Sequence, residues 1–211
     1  YNAKNVKKKT FLKKNNFYLL DSGSQYYLGT TDVTRTFVLG TVSNFHKNIY
    51  TYVLKGHIAV NNFNLTNKTR GQEVDKKARF FLKKYGKNYN HGTGHGIGYF
   101  LNVHETPPNI SSNSKTKFFE GQIMSNEPGY YKEKNFGVRL ENMIMVKKEK
   151  NKKYFESLTL VPFDKNGFNT KLLSKNEIKW INNYHKKVFK NLNKFLSLNE
   201  KNYLKDLCSA I

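Results

Sequence analysis

The sequence predicts an α+β domain, with strands and helices grouped in separate blocks. Three observations carry that expectation. Two segments rich in aromatic and β-branched residues, 17–28 and 32–39, flank Gly29-Thr30 and read as a hairpin. Val74, Ala78, Phe81, Leu82 and Tyr85 recur at helical spacing. Near the C-terminus, Ser174 and Glu177 form a capping box ahead of a one-sided apolar stripe.

Taken in order, the hairpin closes at Gly40, and a helix follows from Ser43 to about Asn61, with Ser43 or Asn44 as its cap. The second helix carries the Val74–Tyr85 stripe and ends at Gly86. Glycine-spaced residues 91–105 lead into a loop over 106–117, marked by Pro107-Pro108 and its serines. Residues 121–125 run into a turn at Asn126-Glu127-Pro128-Gly129, and 136–146 read as one strand. A lysine-rich connector over 147–153 precedes a further strand at 157–162. The last helix places Ile178, Ile181, Val188, Phe189, Leu192 and Leu196 on one face. No internal repeat is visible.

At 211 residues the chain fits one ordinary domain and buries roughly 70 % of its unfolded surface, so no staple is required. Its single cysteine, Cys208, excludes a disulfide framework and a cysteine-rich zinc module. No apolar run reaches the ~18–20 residues of a membrane-spanning helix. No signal-peptide pattern is present, but the chain opens at Tyr1 within an element, so that observation says little about compartment. A formal charge of +22 suggests a polyanion partner. Its make-up argues otherwise: 33 lysines against 4 arginines, rising together with 28 asparagines, describe solvated positions. Groove and phosphate readers lean on arginine. Nucleic acid is therefore set aside as the main partner.

The acidic residues are few, 15 in all, so their placement is informative. Asp21 and Asp32 lie on the two arms of the hairpin, which brings them together. Glu127 immediately precedes a proline turn. Glu141 follows Arg139 by two residues, a spacing that in a strand puts both on one face. His91, His95 and His104 are embedded among Gly92, Gly94, Gly96 and Gly98, where the backbone can approach closely. Four carboxylates and an imidazole make a hard donor set suited to Mn²⁺, Co²⁺ or Zn²⁺. The glycine run is neither a P-loop, having no lysine, nor a dinucleotide fingerprint, having the wrong spacing.

Together these pieces resemble the pita-bread metallopeptidases of family M24. Asp21-Ser22-Gly23-Ser24-Gln25-Tyr26 with Thr30-Thr31-Asp32-Val33-Thr34-Arg35-Thr36 resembles their first metal motif. His91-Gly92-Thr93-Gly94-His95, running on to Phe100-Leu101-Asn102-Val103-His104-Glu105, resembles their histidine motif in the form of the aminopeptidase P (Xaa-Pro aminopeptidase) branch. Asn126-Glu127-Pro128-Gly129 and Gly137-Val138-Arg139-Leu140-Glu141-Asn142 resemble the last two. The likeness covers nearly the whole chain.

The resemblance implies a pita-bread (creatinase/aminopeptidase) fold, a curved and mostly antiparallel sheet flanked by helices. It implies two divalent metal ions, Mn²⁺ first and Zn²⁺ or Co²⁺ as alternatives. Asp21 would hold one metal, Asp32 and Glu141 would bridge both, and His95 and Glu127 would complete the second. Glu127 would also act as general base, relaying a proton from the water bridging the metals and leaving the hydroxide that attacks. His104 would stabilise the oxyanion or protonate the leaving nitrogen, His91 would hold the proline side, and Arg139 would brace the carboxylates. The substrates implied are peptides with proline in second position.

Residues 1–211 would be a single catalytic domain lacking its N-terminal part and any upstream domains. Tyr1-Asn2-Ala3 resembles the tail of a His-Tyr-Ala-like segment, which makes the N-terminal part of the same polypeptide an expected partner. A homodimer, a cytoplasmic location and no membrane contact complete the expectation. The competing readings are a prolidase acting on Xaa-Pro dipeptides and an inactive pita-bread relative that binds nucleic acid.

Overall fold

The computed structural model describes residues 11–211. The Tyr1-Asn2-Ala3 reading falls outside them. The described residues open with a long hairpin, β1 (Asn16–Tyr26) and β2 (Gly29–Leu39), in the register Asp21 to Thr34 and Gly23 to Asp32. Gly40 then takes φ +81° and turns the chain out of β2. Ser43 caps α1 (Asn44–Asn61), its hydroxyl accepting from the His46 N–H, as the sequence predicts. α2 (Gly71–Lys84) follows, and Gly86 at φ +64° ends it.

The second half carries β3 (Gly94–Gly96), β4 (Glu105–Ile110), β5 (Ile123–Asn126), β6 (Gly129–Lys132), β7 (Phe136–Arg139), β8 (Asn142–Glu149) and β9 (Lys152–Ser157). A five-stranded sheet runs in the order β4-β3-β5-β8-β9, and β6 pairs with β7 as a separate ribbon. Every pairing is antiparallel. Two helices close the chain, α3 (Lys175–Leu192) and α4 (Leu198–Leu207). Among the described residues, no helix is long and apolar enough to cross a membrane.

Two apolar clusters hold these layers together. The larger joins α1, through Ile49, Tyr50, Val53 and Leu54, to Val138, Leu140, Phe163 and the inner face of α3. The smaller packs Val74 and Ala78 of α2 against Ile110, Met124, Ile144 and Phe155 of the sheet. Each such side chain, fully buried, contributes about 1.5–3 kcal/mol. The two meet where α1 crosses α2, at Gly56. A Cβ there would stand 2.3 Å from the Ala78 carbonyl oxygen. Gly to Ala ordinarily stabilises a helix, by roughly 0.5–1 kcal/mol. Here the helices must part instead, so Gly56→Ala should cost about 3 kcal/mol, the upper end for overpacking. The measurement is a thermal melt, with Tm falling by about 6–12 °C for a chain of this size.

Four sequence expectations are corrected. Residues 106–110 form β4, not a loop; β4 is an edge strand, where Pro107 and Pro108 need not donate to a ladder. The single strand over 136–146 is two strands. Between them the Leu140 N–H turns to the Pro128 carbonyl (3.3 Å) and the Glu141 N–H to the Thr34 carbonyl (3.0 Å). The lysine-rich connector is the β8–β9 hairpin, and 158–162 carry no strand. Lysines fit the exposed side of that edge, where they discourage further pairing. Finally, the last helix ends at Leu192, so Leu196 falls in the link before α4, which Ser197 and Glu200 open with a second capping box.

Candidate active site

β2 supplies the floor of the site. Its alternation turns Asp32, Thr34 and Thr36 to one face, all buried, and the register with β1 adds Asp21 beside them. The break after β7 delivers Glu141 to the same place. Arg35, buried behind the strand, fastens the break by donating to the Thr34 (2.9 Å) and Glu141 (2.6 Å) carbonyls. Thr34 does the rest: its hydroxyl donates to Glu141 Oε2 (2.5 Å) and accepts from Arg139 Nε (3.1 Å). Arg139 and Glu141 therefore meet through Thr34, not through shared strand alternation.

β3 and β5 deliver the other half. Gly94 lies so close to β5 that a Cβ would stand 2.1 Å from the Ser125 carbonyl oxygen. That contact seats His95 against Ser125 and Glu127. The His95 N–H donates to Ser125 Oγ (3.0 Å), which donates in turn to Glu127 Oε1 (3.0 Å). His95 Nδ1 lies 2.9 Å from the Gly96 carbonyl, so Nδ1 carries a proton and Nε2 faces the acids. Nε2 is 3.2 Å from Glu127 Oε1 and 3.5 Å from Asp32 Oδ2. His104 stands edge-on to His95, ring centres 4.2 Å apart. Arg139 Nη2 pairs with Asp21 Oδ2 at 2.6 Å, and Arg139 Nε approaches Glu127 Oε2 at 4.0 Å.

All eight residues singled out from the sequence, Asp21, Asp32, His91, His95, His104, Glu127, Arg139 and Glu141, line one cavity of about 810 Å³. Tyr131, which the sequence reading did not single out, links two of them. Its hydroxyl lies 2.9 Å from His91 Nε2 and accepts from Arg139 Nη1 at 2.9 Å. Alternation along β6, with Tyr130 in the core, was the available signal. Thr34 and Ser125 carry no signal in the sequence that sets them apart from other strand residues.

The electrostatics describe a site short of positive charge. Burial, then the neighbouring Glu127 and Asp32 carboxylates, push Glu141 up to about 8. Burial first, with Asp21 and Glu127 adding to it, raises Asp32 to about 6 despite the opposing pull of His95. Burial also works against ionised Glu127 and His95, but the hydrogen bond between them outweighs it. Glu127 is held below its ordinary value and His95 above its own. Among the described residues three groupings bring potential ligand atoms within 4.8 Å of one another: Asp32, His95 and His104; His95, Glu127 and Glu141; and Asp21, Asp32 and Glu141. Carboxylates that repel in a buried cluster, beside an imidazole nitrogen aimed at them, fit divalent cations, which would relieve that repulsion.

Comparisons with known proteins identify the relatives of this chain. The model of metallopeptidase family M24 matches residues 1–148, and that of the C-terminal region of the same family matches 153–211. The chain is 44% identical over 194 residues to a probable Xaa-Pro aminopeptidase P of Arthroderma gypseum, covering 87% of this chain and 31% of that protein. It superposes on an X-prolyl aminopeptidase of Caenorhabditis elegans, described as a cytosolic enzyme with a di-nuclear active site. There the TM-score is 0.88 at 36% identity, covering 93% of this chain and 34% of that one. A prolidase of Pyrococcus horikoshii matches with TM-score 0.64 and 32% identity over 71% of this chain and 42% of its own. The chain spans about a third of the length of the first two relatives.

Proposed function

The chain belongs to metallopeptidase family M24, and on that premise we propose that it hydrolyses the bond between an N-terminal residue and a following proline. The observation that carries the reading is the convergence of Asp21, Asp32, His95, Glu127 and Glu141 on one cavity, in overlapping groupings with ligand spacing. Asp21, Asp32 and Glu141 would hold one divalent ion, and Asp32, Glu141, His95 and Glu127 a second. The hard donor set favours Mn²⁺, with Zn²⁺ or Co²⁺ as alternatives. Two such ions would supply a water that ionises near neutral pH and a Lewis acid for the scissile carbonyl.

The chain's own groups supply the proton path and the orientation. Glu127, kept ionised by His95, accepts the proton of the attacking water at a carboxylate oxygen. That proton passes to the proline nitrogen as the C–N bond breaks, because an unprotonated amide nitrogen leaves poorly. His104, at the open side of His95, donates to the oxygen that gains charge. An Xaa–Pro bond has no N–H to offer, so the site must read ring shape and the free α-amine. His91, steadied by Tyr131, faces the proline side, and the carboxylates face the amine. Arg139 keeps Asp21 and Glu127 apart while neutralising part of their charge.

A cytosolic location follows the description of the worm relative, and a homodimer is the assembly that the resemblance implies. The test is metal stoichiometry together with turnover of an Arg-Pro-Pro peptide and of an Xaa-Pro dipeptide, on the complete polypeptide. About two metals per chain and cleavage of the tripeptide, both lost with chelator, support the proposal. Cleavage of the dipeptide alone would make it a prolidase. No metal and no cleavage would sink it.

A further inference from the structure

α2 carries a buried ion pair that touches no proposed ligand. Asp75 and Arg79, one turn apart, are 2% and 6% exposed, and Arg79 Nε meets Asp75 Oδ2 at 2.7 Å. A buried pair of this kind costs desolvation, so its other bonds decide what it is for. Arg79 spends the remainder of its fork on the segment that leads to the glycine run. Nη1 donates to the Tyr89 carbonyl (2.6 Å) and to Asn88 Oδ1 (2.9 Å), and Nη2 donates to the His91 carbonyl (2.7 Å). The guanidinium also lies 3.9 Å above the Tyr89 ring. On the other side, Asp75 Oδ1 accepts from Thr93 Oγ1 (2.6 Å), which lies 2.5 Å from the Tyr89 hydroxyl.

Both ends of this network terminate in the site. The His91 carbonyl is held by Arg79, and the His91 ring packs against Tyr89 with centres 4.8 Å apart. The Thr93 carbonyl accepts the Glu127 N–H at 2.8 Å. Thr93 itself is fully buried and touches the cavity only through the residues it orients. A lysine at position 79 would keep the charge but could not reach two carbonyls and a carboxylate at once.

We propose that the Asp75–Arg79 pair is a positioning unit for His91 and, through Thr93, for Glu127. Its kinetic consequence rests on the peptidase reading above; its structural consequence does not. The test uses Arg79→Lys in the complete polypeptide, with Tyr89→Phe as a milder variant and His91→Ala as the reference. The first readout is the His91 imidazole signal in a two-dimensional NMR spectrum of the metal-free protein, assigned by its loss in His91→Ala. In Arg79→Lys that signal should shift or broaden, with a smaller shift at His95, which pairs with Glu127, while the signals of His46, His57 and His185 keep their places. The second readout is kinetic. Outer-shell positioning of this kind is worth about 10–100-fold, so kcat/KM on Arg-Pro-Pro should fall by that factor, carried mainly by KM. The double variant Arg79→Lys/His91→Ala should lose less than the product of the two single losses, since the part that acts through His91 is already gone and only the part that acts through Glu127 remains.

An unmoved His91 signal, or full additivity in the double variant, would overturn the proposal. If wild type cleaves nothing, the peptidase reading fails while the NMR shift still decides the positioning claim. Should Arg79→Lys not fold, Tyr89→Phe decides by the same signal, since it removes only one hydroxyl from the network.

Discussion

Asp32→Asn will lower turnover of an Arg-Pro-Pro peptide by at least about 10³-fold, since the metal charge it helps hold is worth several kcal/mol in the transition state. The substitution is nearly isosteric and leaves an oxygen in place, so the loss is one of charge and not of shape. Asp32 belongs to two of the three ligand groupings, and its removal weakens both metal positions at once. Metal content should drop below two per chain. The metal-free variant should nonetheless melt no lower than metal-free wild type. There the buried carboxylate is repelled by Asp21 and Glu127, and burial already raises it to about 6. Lost function with undiminished stability is the signature of a group held in an unfavourable place for chemistry. Activity within tenfold of wild type would remove Asp32 from the metal set.

The same tension explains what was legible in the sequence. Asp21, Asp32, His95, Glu127 and Glu141 could be picked out because acids are scarce and each stands in a short motif with little freedom. The hairpin, α1, α2 and the Ser174 cap follow from local rules that tertiary context did not override. What could not be read was how segments far apart in the chain share hydrogen bonds. The strand break at Leu140-Glu141 exists because Pro128 and Thr34 take its N–H groups, and no local pattern announces those partners. Thr34, Tyr131 and the Asp75–Arg79 pair matter through contacts across 8 to 107 residues or through burial. A threonine in a strand or an Asp–Arg pair on a helix looks ordinary until the neighbours are placed. β4 was hidden by its prolines, which only an edge position permits. The second capping box, Ser197 with Glu200, is a local signal that the sequence does carry, one residue beyond the end of the apolar stripe at Leu196.

Metal-free protein should change little in stability between pH 5 and 6.5 and should weaken as pH rises from 6.5 to 8, whereas metal should remove the alkaline loss. Glu141 is raised from 4.5 to about 8, so the folded state holds a proton that the unfolded chain has released. Stability from that proton is present below 4.5 and is lost as pH rises towards 8. His95, also raised, contributes below its unfolded value and loses that contribution above it, in the same direction. Two buried histidines act oppositely. Burial lowers His57 to about 3 and His185 to about 4. Each stays neutral in the fold, so acid favours the unfolded chain, and their contribution rises with pH until both are neutral in either state, above about 6.5. Below that pH the histidine gain opposes the Glu141 and Asp32 loss. Above it only the loss remains. Between pH 6.5 and 8 Glu141 alone removes about 2 kcal/mol, at 1.36 kcal/mol per pKa unit. That corresponds to roughly 4–8 °C in Tm. Divalent ions keep both carboxylates ionised and bind the folded state only, so added Mn²⁺ should erase this alkaline limb, and its stabilisation should shrink on the acid side as protons displace it. Glu141→Gln should remove most of it without metal, leaving the smaller His95 part. Thermal melts from pH 5 to 8, with and without Mn²⁺, separate these cases; an alkaline limb that Mn²⁺ leaves unchanged would mean that Glu141 does not hold the metal.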